Sequence, residues 1–145
     1  MAIALEKELD TAIRAHGEET FPNECCGFML GTVEGDAKQV VELLRADNDR
    51  EDEEQYHRFL ITPEDYMKAE KAARAKGLDI IGFYHSHPNA PARPSQYDLD
   101  HAWPWYSYII VSIQDKKSEK MTSWVLAEDR SEFSEEDVVS EKVES

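Results

Sequence analysis

Asp79-Ile80-Ile81-Gly82-Phe83-Tyr84-His85-Ser86-His87-Pro88 decides how this chain is read. Ile80 to Tyr84 is an apolar run that reads as a buried strand. Ile80, Ile81 and Phe83 place apolar groups on both faces, which predicts a central position in a sheet. Successive strand side chains point to opposite faces, so His85 and His87 share one face at the strand's end. Asp98 follows His87 with ten residues between them. Two imidazoles and one carboxylate suit Zn²⁺, and three protein ligands leave a fourth position for water. That is the arrangement of a catalytic zinc rather than a structural one.

Each of these residues also has a plainer reading. A His-x-His pair at a strand end is often a surface pair. Ser95-Gln96-Tyr97-Asp98 is close to a capping box, with Ser95 accepting from the helix amides. Pro94 before it and Leu99, Ala102 and Trp103 after it fit a helix start. Taken alone, Ser95 and Asp98 are better explained as caps than as catalysts. The two roles are compatible, because a carboxylate in the first helical turn can still face the strand end. Glu24, in Pro22-Asn23-Glu24-Cys25-Cys26-Gly27, reads in isolation as a solvated carboxylate at a strand start. Beside a zinc site it reads as the proton acceptor that hydrolysis at neutral pH needs.

Glu24, His85-x-His87-Pro88 and Ser95-x-x-Asp98 together resemble the JAMM motif of the MPN+ metalloproteases. The His87 to Asp98 spacing, the Glu-Cys-Cys-Gly context and Gly82-Phe83-Tyr84-His85-Ser86-His87-Pro88 all resemble its small bacterial branch, and the resemblance covers roughly Leu5 to Leu126. It implies a single JAMM/MPN domain of the cytidine-deaminase-like α/β class, with a mixed, mostly antiparallel sheet flanked by helices. It implies zinc as cofactor, held by His85, His87 and Asp98. Glu24 would be the general base and Ser95 a donor to the developing oxyanion. The implied reaction is hydrolysis of a peptide or isopeptide bond at the C-terminal tail of a ubiquitin-like or sulfur-carrier protein. The alternative is a non-catalytic MPN module that holds such a tail without cutting it.

Other zinc and thiol chemistries fit less well. A nucleobase deaminase needs a Pro-Cys-x-x-Cys pair and a His-x-Glu, both absent. A thermolysin-type protease needs a His-Glu-x-x-His helix, also absent. A thiol protease would use Cys25 or Cys26 with one of the histidines, but the metal reading explains more residues.

The 145 residues suffice for one domain with a real core, and 41% are hydrophobic, as expected of a globular chain. Cys25 and Cys26 are adjacent and cannot easily bridge, so no disulfide framework is expected. They read as small buried residues. No membrane span or signal peptide is read from the sequence, so a cytoplasmic location is the default. The net charge of −15 argues against nucleic acid and against anionic membrane as partners. Acidic runs at Asp47–Glu54 and Glu128–Glu144 read as solvated loop and tail, dividing the chain into a 1–128 domain and an acidic 129–145 tail.

The expected elements are a helix over about Ile3–His16 stopped by Gly17, and a hairpin of Cys26–Val33 with Gln39–Arg45. An acidic loop and a short strand Arg58–Ile61 follow. Thr62-Pro63-Glu64-Asp65 starts a helix that ends at Gly77. Then come the histidine strand, a proline-restrained loop Pro88–Pro94 and a short helix ending near Pro104. Strands Tyr106–Ile113 and Met121–Ala127 are joined by Asp115–Lys120. His101 reads as a partly exposed helix residue, His16 and His57 as structural or solvated. Trp103, Trp105 and Tyr106 read as core or cleft wall.

Overall fold

Residues 80 to 88 are buried without interruption, so the strand they form must have neighbours on both edges and layers on both faces. The computed structural model, which describes residues 2–35, 37–46 and 63–140, shows this arrangement. The elements in chain order are β1 (Ala2–Ala4), α1 (Lys7–Thr20), β2 (Cys26–Glu34), β3 (Ala37–Ala46), α2 (Pro63–Ala75), β4 (Asp79–Pro88), α3 (Gln96–His101), β5 (Ser107–Gln114), β6 (Lys117–Leu126) and β7 (Phe133–Val139). The strands run in the order β1-β3-β2-β4-β5-β6-β7, and β7 pairs back on β1 to close the sheet. β4 lies antiparallel to β2 and parallel to β5. The expected α/β domain with a mixed sheet and a central histidine strand is present.

Register positions the site. Cys26 pairs with His85 and Gly27 with Tyr84, while Met29 pairs with Gly82 and Leu30 with Ile80. Ile81 is therefore an extra residue, a β-bulge that shifts the alternation along β4. Ile81 and Tyr84 join one apolar cluster with Ile3, Ile13 and Ile113. Ile80 and Phe83 join the other, with Ala69 and Ala73 of α2. Without the bulge, Phe83 and the histidines beyond it would share the face of Ile81. Gly82 sits where a Cβ would come within 2.2 Å of the Ser107 carbonyl, so glycine permits the close β4·β5 pairing.

Several boundaries differ from the sequence expectation for physical reasons. Ile3 and Ala4 lie in β1, and α1 runs on to Thr20. Gly17 does not stop that helix: a side chain there would meet Ile113 at 2.8 Å, so glycine serves close packing. The β5–β6 connection is only Asp115-Lys116, both at positive φ (49° and 71°), a tight turn without the usual Asn-Gly signal. The stretch expected to be a solvated tail instead contributes β7 through Val139, so the domain extends past residue 128. Its buried Glu136 accepts a 2.7 Å hydrogen bond from Ser123. The acidic loop at 47–55, His57, the strand expected at 58–61 and the cap Thr62 lie outside the described residues, as do the last five.

His16 is buried, and its Nδ1 lies 2.8 Å from the Tyr84 hydroxyl. Burial pushes its pKa down to about 4, with the charge of Arg45 acting in the same direction and Glu19 opposing. Above pH 6.5 both folded and unfolded chains hold a neutral imidazole. Between 6.5 and 4 the unfolded chain takes up a proton that the folded chain refuses, so stability falls as pH falls through that window. Between pH 7 and pH 4 the parent should lose on the order of 2 kcal/mol more than His16→Gln. Urea midpoints across pH measure this, and parallel curves for the two proteins would contradict it.

Candidate metal centre

His85 and His87 project from the end of β4, 1% and 8% exposed. Their Nε2 atoms are 3.1 Å apart. His87 Nδ1 lies 2.9 Å from the Pro91 carbonyl. A carbonyl only accepts, so Nδ1 carries the hydrogen and Nε2 turns its lone pair toward His85. The proline-restrained loop thus fixes one imidazole by its backbone.

Asp98 comes from the first turn of α3. The Ser95 Oγ accepts from the Asp98 N–H at 3.1 Å, and Asp98 Oδ2 accepts from the Ser95 N–H at 2.8 Å, completing the expected capping box. The same carboxylate faces both histidines, with Oδ1 at 3.3 Å from His85 Nε2 and Oδ2 at 3.3 Å from His87 Nε2. The cap and the site role are therefore combined in one side chain.

Glu24 is only 5% exposed, so the solvated reading is wrong for it. Continuing the β2·β4 register from Cys26 and His85 brings Glu24 level with His87. The Cys25 N–H donates to Ser86 Oγ at 2.8 Å, and the Ser86 N–H donates to the Cys25 carbonyl at 3.2 Å. These bonds clamp the start of β2 against β4. One ligand atom each from Glu24, His85 and His87 lies within 4.8 Å of the others.

The donor set fits one small cation. Tetrahedral ligands at zinc bond lengths lie roughly 3.3 Å from one another, and the three separations among His85, His87 and Asp98 are 3.1, 3.3 and 3.3 Å. Burial pushes the His85 pKa down, with Asp98 only partly offsetting it. Burial alone would raise Asp98, but the imidazoles of His85 and then His87 overcome it and hold the carboxyl well below the usual range. A buried carboxylate and inward-facing ring nitrogens converge on one point, which is the chemistry of a cation site.

The remaining candidates separate clearly. Both cysteines are buried, and burial pushes the Cys25 thiol up to about 11, which disfavours the thiolate that a thiol protease would need there. His101 stacks on Tyr97 with ring centroids 4.1 Å apart, and its Nδ1 lies 2.8 Å from the Tyr97 carbonyl. It contributes to neither triad. Trp103 and Trp105 are exposed rather than core, and Trp103 lines a pocket of about 500 Å³ that opens beside His85 and Asp98. Sequence reasoning missed this pocket. Its walls come from α2, β4, α3, β5, the β6–β7 turn and β7, and no single stretch carries a signal for it.

Residues 6–127 match the family described as prokaryotic homologs of the JAB domain. Desampylase from Haloferax volcanii is 31% identical over 115 residues, covering 76% of this chain and 80% of the relative. The probable TtuB-protein conjugate cleaving protease of Thermus thermophilus is 40% identical over 52 residues, 36% of this chain and 35% of the relative. The solution structure of a protein from Salinibacter ruber superimposes with a TM-score of 0.73 at 45% identity, covering 96% of this chain and 90% of that one. With a family match running from α1 to the end of β6, and a fold that brings the motif residues together, the chain belongs to the prokaryotic homologs of the JAB domain.

Proposed function

We propose that this protein is a zinc-dependent peptidase or isopeptidase that hydrolyses the bond at the C-terminal tail of a ubiquitin-like or sulfur-carrier protein. The observation that carries this reading is the convergence of His85, His87 and Asp98 at 3.1 to 3.3 Å with buried Glu24 beside them. His85, His87 and Asp98 would hold the ion, which when bound supplies Lewis-acid polarisation of the scissile carbonyl and acidifies the attacking water. The relatives named for desampylation and for conjugate cleavage support the substrate class.

The chain's own residues divide the remaining work. Glu24 takes the proton from water as the water oxygen bonds to the carbonyl carbon. It returns that proton to the nitrogen as the carbon–nitrogen bond breaks. Ser95 Oγ already accepts from the Asp98 N–H, so its hydroxyl hydrogen is left to donate to the oxyanion that develops. His87 stays oriented through Pro91. Among the described residues no helix is long and apolar enough to cross a membrane. Two free cysteines accord with a reducing cytoplasm as its location.

Glu24→Gln should lower turnover of a carrier bearing a C-terminal extension by about 10²-fold or more, while zinc content and urea midpoint stay at parent values. Undiminished turnover would remove Glu24 as the base. Ser95→Ala should lose about 10²-fold in kcat through the missing donor and about 1 kcal/mol of stability through the missing cap. Ser95→Thr should retain both. Full kcat in Ser95→Ala would confine Ser95 to capping.

A further inference from the structure

The pocket beside the histidines has a floor in two tiers. His85 pairs with Ile110 in the first, and Phe83 with Tyr108 in the second. Two residues of strand separate the tiers by about 7 Å. The second tier is aromatic: Phe83 stacks on Tyr108 at 5.4 Å, and Tyr108 meets Phe133 at 5.9 Å. The Trp103 N–H donates to the Tyr108 hydroxyl at 2.9 Å, which fixes Trp103 beside this tier. A volume near 500 Å³ suits a single bulky residue or a small ligand.

Arg130 supplies the one guanidinium or ammonium among the described residues of the lining. Its backbone takes a positive φ of 64°, and its N–H donates to the Ala127 carbonyl at 2.9 Å. Its guanidinium lies over the Trp103 ring, 5.2 Å from the centroid. In a chain with 31 acidic side chains, Arg14, Arg45 and Arg74 each sit on a carboxylate. Arg130 has no such ion pair among the described residues. The acids of the lining are otherwise engaged, Asp98 by the histidines and Asp100 by Gln96 Nε2 at 2.8 Å. A guanidinium stacked on a ring keeps its N–H edge for bidentate binding of a carboxylate.

We infer that this pocket binds a leaving residue with a large apolar side chain and a free α-carboxylate, which Arg130 reads. This rests on the hydrolase reading above and narrows it. The pocket takes in His85 and Asp98 as well as Arg130, and a free α-carboxylate held in it belongs to the leaving side, because the carrier's own carboxyl is the carbonyl being cleaved. The pocket therefore selects for release of a single C-terminal amino acid: the carbonyl carbon gains hydroxyl from water, and the amino acid departs with the water's other hydrogen on its nitrogen. A lysine side chain in an isopeptide bond brings no carboxylate to this position.

Calorimetric titration of the zinc-loaded full chain with N-acetyl-Gly-Phe, its C-terminal amide and N-acetyl-Gly-Ala tests the inference. The Phe acid should bind at least tenfold more tightly than either of the others. Arg130→Gln, which lies outside the metal cluster, should erase the preference for acid over amide and keep the preference for Phe over Ala. Equal binding of acid and amide would overturn the inference, as would an acid preference that survives in Arg130→Gln, since the carboxylate would then be bound elsewhere. Zinc-dependent cleavage of a carrier conjugate alongside either of those results would leave the hydrolase reading standing without this pocket.

Discussion

The pairing of Cys26 with His85 is the constraint on which the rest of the site depends. It fixes the end of β2 against the end of β4, and with it the distance between Glu24 and the two imidazoles. The Ser86 hydroxyl and the Cys25 carbonyl lock that register at the one place where a slip would matter. A shift by one residue would turn Glu24 to the opposite face. The bulge at Ile81 does the complementary work: it turns the histidine face toward the α3 side while the residues before it stay buried under two different apolar clusters.

Asp98 shows how little additional structure the site needs. A helix of six residues is too short to be stable by itself and relies on its cap. The carboxylate that closes the cap also faces both histidines, so forming the helix and completing the ligand set are the same event. The imidazoles and the Ser95 amide share one anion. This explains why the Ser-x-x-Asp spacing satisfies the capping reading and the metal reading together, and why the residues alone do not choose between them.

The site was legible in the sequence because its parts are local signals: a strand ending in His-x-His, a Ser-x-x-Asp helix start, and a glutamate ahead of an apolar strand. The helix at Pro63 was legible through its proline and acids, and the hairpin of β2 and β3 through the Glu34-Gly35-Asp36 turn between its strands. What stayed hidden had its signal masked by charge or spread over the chain. β7 reads Phe-Ser-Glu-Glu-Asp-Val-Val, and the burial of Glu136 against Ser123 depends on a partner strand that local composition does not reveal. The start of β6 is hidden by Lys117 and Lys120, which are exposed in a polar stretch. The pocket is drawn from separate elements spread between Pro63 and Phe133, and Arg130 looks in sequence like any charge in an acidic tail.

The central claim is that His85, His87 and Asp98 form one zinc site. Zinc per chain, measured on protein purified without chelators, beside an Asp98→Ala control, tests it most directly. About one equivalent in the parent and much less in the control is the expected result. No zinc in the parent, even after reconstitution with the metal, would contradict it and leave a fold that holds protein tails without cutting them.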